Sequence, residues 1–181
     1  MNEEKDFDRE FVNRQINVNN SEERSAIYKD IVFEEDLVSI NIDAQTPEEV
    51  IKILSDKLLQ KGYVTNKFFE AVINREKEFP TGLPTIIPVA LPHTDAVYCK
   101  GSAISVGILK TPVSFREMGN PHNYLPVEIV FLLVLVDSNL QTQWLQRLVK
   151  AFKENDFLKK LKNKQTKQEI VEFINQIFNH N

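Results

Sequence analysis

The chain has 181 residues, of which 42% are hydrophobic and 27% are charged, as is typical of one soluble domain with a single core. A net charge of −4 and a sequence pI near 5.5 provide no broad cationic surface. We therefore expect neither nucleic acid nor an anionic membrane as its main partner. The single cysteine, Cys99, excludes an intrachain disulfide and favours a protein of the reducing cytoplasm.

The beginning of the chain differs in character from the rest. Residues 1–31 are mostly polar and charged, which predicts an N-terminal extension there and one domain over residues 32–181. The first eight residues are acidic where a signal peptide would be basic and then apolar. The longest apolar run, residues 129–136, is too short to span a bilayer. We therefore expect a cytoplasmic chain without direct membrane insertion.

A strand and two helices are predicted in the first part of the domain. Residues 37–42 alternate between apolar and polar side chains, as in a short strand. Thr46, Pro47 and Glu49 form a capping box with proline at the first helical position, so a helix begins here. Its predicted apolar face consists of Val50, Ile51, Ile53, Leu54, Leu58 and Leu59. A second helix is predicted over residues 66–77.

The remaining elements alternate between strands, turns and helices. Two prolines and a glycine predict a turn-rich loop over residues 79–84. Three apolar stretches predict strands, and a Gly-, Asn- and Pro-rich stretch predicts an exposed loop between the last two. The strands cover residues 86–91, 103–109 and 127–136, and the loop covers 117–126. Helices are predicted over residues 140–153, near 157–161 and after Thr166. This order predicts an α/β sheet covered by helices.

The candidate chemistry centres on one histidine. No Walker loop or dinucleotide fingerprint can be placed, so ATP and NAD are not expected. The three histidines, His93, His122 and His180, lack the spacing of a helical metal site. His180 lies in the terminal tail, and His122 is interpreted as a solvated loop residue. His93 follows a predicted strand, and functional side chains collect at strand ends in α/β folds.

Two stretches around His93 together resemble a known signature. Arg-Glu-Lys-Glu-Phe-Pro-Thr-Gly at residues 75–82, followed by Val-Ala-Leu-Pro-His-Thr-Asp-Ala at 89–96, closely resembles the paired signature of the fructose–mannitol class of enzyme IIA domains of the sugar phosphotransferase system. The resemblance extends from about Val32 to Phe178. The Pro-His-Thr-Asp-Ala form and residues 100–104 look most like the galactitol branch. The resemblance implies a small mixed sheet flanked by helices on both faces.

The resemblance also implies a function. His93 would accept phosphoryl from the phosphohistidine of HPr and pass it to a cysteine of the cognate enzyme IIB, which serves the membrane enzyme IIC. No metal or organic cofactor is expected. An imidazole with a pKa near 6.5 offers an unprotonated nitrogen at neutral pH. The transferred group spreads charge over three oxygens, and the resemblance implies that Arg75 lies beside His93 to bind them.

Two further residues are weaker candidates for phosphoryl binding. Thr81 has a hydroxyl that could donate a hydrogen bond, although its motif position also suits a turn. Related domains usually carry a second histidine at the head of the helix after the central strand, and spacing places Gln141 there. Its amide can donate a hydrogen bond but cannot ionise. His122 could instead approach His93 through its loop.

Other functions remain open on the sequence alone. The same fold could serve as a regulatory module in which phosphorylation of His93 signals to another protein. A structural or interaction protein without phosphotransfer would be favoured if His93 were buried and hydrogen-bonded at both ring nitrogens. Metal-dependent hydrolysis would need further ligands near His93. A carrier requires an interface around His93, for which Phe79, Leu83 and Val97 are candidates if exposed.

Overall fold

The structure, a computed structural model, describes residues 31–154 and 156–178. The N-terminal extension predicted for residues 1–31 therefore lies outside the described residues, apart from Ile31, which is buried. His180 also lies outside them. The elements below are numbered within the described residues.

Five strands form one mixed sheet in the part of the chain that the structure describes. They are β1 (Val38–Ile42), β2 (Gly82–Leu83), β3 (Val89–Ala90), β4 (Ala103–Glu117) and β5 (Asn120–Val134). Strands β4 and β5 form a long antiparallel hairpin, and β1 lies parallel to β4 along one side. Strands β2 and β3 pair antiparallel with each other, while β2 lies parallel to β4 and β3 lies parallel to β5.

The β4–β5 hairpin corrects one prediction. The loop expected over residues 117–126 is wrong, because the strands continue to a turn at Met118 and Gly119. Gly119 has φ +79°, a conformation that glycine adopts without steric cost. Val113 and Phe115 are buried between exposed neighbours, so the arm has one apolar face. The prolines and asparagines that suggested a loop lie in the exposed part of the arm.

Five helices accompany the sheet among the described residues. They are α1 (Pro47–Gln60), α2 (Phe68–Glu78), α3 (Ser138–Lys153), α4 (Phe157–Lys162) and α5 (Lys167–Phe178). The predicted N-cap before α1 is confirmed, because the Glu49 amide donates to Thr46 Oγ1 at 3.2 Å. The Glu49 carboxylate, however, accepts from the Gln45 amide at 2.7 Å and not from that of Thr46. Ile53 and Leu59 were expected on its apolar face but are 36% and 43% exposed. The buried stripe of this helix is therefore narrower than predicted.

Both faces of the sheet are covered, as predicted. Alternate residues of β5 serve the two faces. Val130, Leu132 and Val134 join the core cluster formed with α1 and α2. On the other face, the Phe131 ring lies 5.0 Å, between centroids, from that of Phe152 in α3. The core is therefore in two layers, one on each side of β5.

The short β2–β3 pair brings the two halves of the sequence signature together. Gly82 is paired with Ala90, so the residues before β2 run beside those after β3. A Cβ at Gly82 would lie 2.6 Å from the backbone oxygen of Arg116. Glycine is needed here because β2 approaches the backbone of β4 so closely. This pairing places the end of α2 next to the segment that carries His93.

Candidate functional site

The backbone just before His93 is held in place by strand β5. The chain leaves β3 at Ala90 and continues beside β5, where the Leu133 amide donates to the Pro92 carbonyl at 3.1 Å. Proline before the histidine restricts the backbone further, since its φ is locked. His93 therefore stands at a defined point just beyond a strand end.

One nitrogen of the His93 ring is committed and the other is not. Nδ1 lies 2.7 Å from the carbonyl oxygen of Leu91. A carbonyl oxygen can only accept, so Nδ1 carries the proton and donates it. No described group hydrogen-bonds to Nε2, and Nε2 is not among the fully buried polar atoms without a partner. Nε2 therefore keeps contact with solvent and presents its lone pair there.

The ring is less exposed than we expected from the sequence. His93 is only 7% exposed, so a reacting group reaches it at the edge that carries Nε2. The alternative of a purely structural histidine required hydrogen bonds at both ring nitrogens. In the described residues only Nδ1 has such a partner. The geometry therefore retains one nucleophilic atom within a largely enclosed ring.

The surroundings of His93 favour the neutral imidazole. Burial lowers the pKa of His93 below its usual value, because the charged ring loses hydration. The hydrogen bond to the Leu91 carbonyl opposes this shift, whereas the nearby charge of Arg75 lowers the pKa further. The net direction is downward. At neutral pH the ring is thus unprotonated at Nε2, which is the form that can act as a nucleophile.

Arg75 is close enough to His93 to act on its charge, as the resemblance implied. It lies in the last turn of α2, and its guanidinium carbon is 5.5 Å from the centroid of the Phe79 ring. Its Nε is buried and lacks a hydrogen-bond partner. None of the ion pairs within the described residues includes Arg75. A cation that makes no salt bridge among the described residues is thus held near the ring, and its charge acts on both His93 and Glu76.

Thr81 is placed differently from its expected role. It is 2% exposed, and its hydroxyl donates to Glu76 Oε2 at 2.8 Å. Its backbone amide donates to Glu76 Oε1 at 3.0 Å. The same hydroxyl oxygen accepts from the Leu91 amide at 3.2 Å. Contact between Thr81 and a phosphoryl group stays a prediction; the observed bonds join α2 to the strand that leads to His93.

Gln141 lies beside the segment that follows His93, in agreement with its predicted neighbourhood. It occupies the first turn of α3, which Asp137 caps by accepting from the Leu140 amide at 2.9 Å. The side-chain amide of Gln141 donates to the Thr94 carbonyl at 3.0 Å. Gln141 therefore contacts the residue that directly follows His93 in the chain. Its binding of phosphoryl itself stays a prediction.

His122 does not approach His93. It lies in β5 close to the hairpin turn, whereas the His93 segment contacts Leu133 at the other end of that strand. Strand residues advance about 3.3 Å each, which separates the two positions by roughly 35 Å along the strand. The possibility that His122 supplies a second histidine at the site is therefore wrong. The interpretation of His122 as an exposed residue is confirmed.

Exposed apolar side chains accompany the His93 end of the β2–β3 pair. Phe79 is 55% exposed and Val97 is 76% exposed, while Leu83 is half-buried. Val97 lies in a short 3-10 helix, Ala96–Tyr98, directly after the His93 segment. Phe79 and Val97 thus meet the condition set for a docking surface, and Leu83 meets it only in part.

Glu76 is a site residue that we did not single out from the sequence. Burial raises the pKa of its carboxyl, and the hydrogen bonds from Thr81 oppose that shift. Glu76 belongs to the signature quoted above, so the motif itself contained the signal. Motif position alone did not distinguish a buried carboxylate from an exposed one.

Across residues 31–154 and 156–178, no group of three or more His, Cys, Asp and Glu side chains is arranged to hold a metal ion. No described helix combines the length and apolar character needed to cross a membrane.

This site and fold belong to a known class of phosphotransferase component. The chain belongs to the family described as "Phosphoenolpyruvate-dependent sugar phosphotransferase system, EIIA 2", whose model matches residues 31–177. The family comprises phosphohistidine carriers that serve the uptake of sugars and polyols. The resemblance stated from the signature is therefore confirmed, as is the predicted fold class.

Individual relatives give the same picture. The galactitol-specific EIIA component of Escherichia coli K12 is 30% identical over 114 residues, which cover 62% of this chain and 75% of that protein. The ascorbate-specific EIIA component of the same strain is 24% identical over 148 residues, covering 81% and 94%. A solved complex of mannitol enzyme IIA with phosphorylated enzyme IIB from E. coli matches with a TM-score of 0.66 at 18% identity, covering 81% of this chain and 99% of that chain. This last likeness shows the fold.

Proposed function

We propose that His93 is the phosphoryl acceptor of this enzyme IIA and that Nε2 is the atom that forms the bond. The observation that supports this most is that the two nitrogens of the ring have different roles. Nδ1 donates to the Leu91 carbonyl, so Nε2 holds a lone pair at the accessible edge. Because the pKa of His93 is lowered, this lone pair is present at neutral pH.

The transfer needs little from the protein beyond position and charge. The Nε2 lone pair attacks the phosphorus of an incoming phosphohistidine, and the donor's nitrogen–phosphorus bond breaks with its electron pair returning to the donor ring. In the second transfer, a thiolate of the acceptor attacks the phosphorus and the bond to Nε2 breaks. Arg75 stabilises the charge on the phosphoryl oxygens in both steps, because its Nε has no hydrogen-bond partner and is available to an anion.

The proposed partners are HPr as donor and a cysteine of the cognate enzyme IIB as acceptor, both met in the cytoplasm. The membrane enzyme IIC is reached only through enzyme IIB. Phe79 and Val97 supply exposed apolar area next to His93, and such area suits the centre of a transient interface. The related mannitol protein in the solved complex is bound to phosphorylated enzyme IIB.

The proposed transport substrate is galactitol or a similar polyol. The support is the 30% identity to a galactitol-specific EIIA component, together with the Pro-His-Thr-Asp-Ala form of the signature. Ascorbate is the competing assignment, because an ascorbate-specific relative matches more of the chain at 24% identity. Complementation of strains that lack either component would separate the two.

The deciding experiment uses phosphorylated HPr as donor. Wild-type protein is expected to acquire a phosphate that is labile in acid and stable in base, and His93→Ala is expected to acquire none. His122→Ala is the matched control, because His122 is exposed and distant from the site. Label that persists in His93→Ala would overturn the proposal. Label that forms normally but cannot be discharged by enzyme IIB would instead favour the regulatory module.

A further inference from the structure

Glu76 holds Thr81 with both of its carboxylate oxygens. Oε1 accepts from the Thr81 backbone amide at 3.0 Å and Oε2 accepts from the Thr81 hydroxyl at 2.8 Å. Hydrogen bonds to an ionised acceptor are shorter and stronger than neutral ones. These two hydrogen bonds, here called the clasp, therefore fix both the backbone and the side-chain rotamer of Thr81.

The position of Thr81 is passed on to the His93 segment. With its proton donated to Glu76, the Thr81 hydroxyl oxygen accepts from the Leu91 amide at 3.2 Å. The Thr81 carbonyl shares the same amide at 3.4 Å. The Leu91 carbonyl in turn accepts from His93 Nδ1 at 2.7 Å. A continuous set of hydrogen bonds thus leads from Glu76 through Thr81 and Leu91 to the ring.

Glu76 acts on His93 through this geometry and not through its charge. The charges that shift the pKa of His93 are those of Arg75 and Asp95, and Glu76 is not among them. The charges of Arg116 and Arg75 both lower the pKa of the Glu76 carboxyl. The Arg116 guanidinium also donates to the Glu76 carbonyl at 3.2 Å. Both ends of Glu76 are therefore fixed in place.

We propose that Glu76 is a positioning residue for phosphoryl transfer: through Thr81 it orients the Leu91 carbonyl that keeps the proton on Nδ1 and the lone pair on Nε2 of His93. This inference rests on the proposed role of His93. Loss of the clasp frees the Leu91 segment, and the neutral ring then populates both tautomers. The fraction with a nucleophilic Nε2 falls, and so does the rate of transfer.

The test compares Glu76→Gln with wild type in two measurements. The first is the 15N NMR spectrum of His93, which is expected to show one Nδ1–H tautomer in wild type and a mixture in Glu76→Gln. The second is phosphorylation by phospho-HPr, in which kcat is expected to fall about tenfold while KM is unchanged, since misplacement costs rate and not docking. Glu78→Gln is the matched control, because it removes the same charge from an exposed position of α2.

A second pair of variants covers the case in which Glu76→Gln does not fold. Thr81→Val keeps the shape of the side chain but removes the hydroxyl, and it is expected to show the same mixed tautomers and reduced kcat. Thr81→Ser restores the hydroxyl and is expected to recover most of the rate. Wild-type tautomer and kcat in Thr81→Val would overturn the inference, whether or not Glu76→Gln folds. If His93→Ala alone abolishes labelling in that case, the proposed function still stands.

Discussion

The guanidinium carbon of Arg75 lies 5.5 Å from the centroid of the Phe79 ring, one helical turn further along the chain. Phe79 is 55% exposed, so the ring covers the cation without enclosing it. A ring face attracts a cation without neutralising it. The contact thus positions the guanidinium and leaves its hydrogen-bond donors available to an anion.

Replacement of Phe79 tests this contact. Phe79→Ala is expected to lower kcat/KM for phosphorylation by phospho-HPr about threefold, since an exposed cation–π contact contributes about 0.5–1 kcal/mol. The variant Ile86→Ala serves as control, because Ile86 is also an exposed apolar residue but lies in the turn between β2 and β3. An equal loss in both variants would attribute the effect to general apolar area and not to Arg75.

Arg75 itself should have a much larger effect. Arg75→Ala is expected to slow phosphorylation of His93 by about 10²–10³-fold, as for the loss of one preorganised donor to a transition state. Arg75→Lys keeps the charge but loses the planar, two-pronged donor geometry of the guanidinium. Its phosphorylation rate should therefore lie between those of the wild type and Arg75→Ala. Stopped reactions with 32P-labelled phospho-HPr give the rates.

The control for Arg75 is a neighbouring cation on the same helix. Lys77→Ala removes an exposed cation of α2 that pairs with Glu48, and it is expected to leave the rate unchanged. Arg75→Ala should also raise the pKa of His93 toward its ordinary value, because the charge of Arg75 lowers it. Unaltered transfer in Arg75→Ala would contradict the assigned role.

The lowered pKa of His93 predicts how stability depends on pH. Between the lowered folded-state pKa and the ordinary value of 6.5, the unfolded chain binds more protons at this residue than the folded one. The unfolding free energy contributed by His93 therefore falls as pH decreases below about 6.5. Urea unfolding at pH 7.5, 6.5 and 5.5 measures it.

Comparison with a variant isolates this contribution from other titrating groups. His93→Ala lacks the titrating ring, so the difference in unfolding free energy between wild type and variant should shift against wild type as the pH is lowered. NMR titration of the wild-type ring should give a pKa below 6.5. A pKa above that value would contradict the role assigned to burial.

Gln141 offers a test at the first turn of α3. Its amide donates to the Thr94 carbonyl at 3.0 Å, and Gln141→Ala removes that support next to His93. Loss of a neutral hydrogen bond costs about 1 kcal/mol, so we expect phosphorylation to slow about fivefold. Gln143→Ala, an exposed change in the same helix, is the control. Equal rates in both variants would show that the Thr94 contact does not matter for transfer.

Much of the architecture follows from local rules in the sequence. The capping box at Thr46 predicted the start of α1, and the apolar run at residues 127–136 predicted the inner part of β5, because both signals are made by neighbouring residues. The outer part of the hairpin was missed because its strands carry prolines and asparagines. Pairing between β4 and β5 compensates for those weak propensities.

The site was predictable to the extent that the motif named its residues. His93 and Arg75 come from the signature, and the structure places Arg75 near enough to shift the pKa of His93. Glu76 lies in the last turn of α2, and its role depends on its carboxylate turning toward Thr81, whose hydroxyl oxygen accepts from the Leu91 amide. Spacing in the sequence does not determine which way a side chain at a helix end points.

The acceptor that orients the His93 ring is a main-chain oxygen, that of Leu91. Every amino acid carries this atom, so no point substitution at that position deletes it. The ring's proton placement is therefore insulated from side-chain change at residue 91 and vulnerable only to changes in the path of the backbone. Replacing the peptide linkage there by an ester would weaken the acceptor and expose this dependence directly.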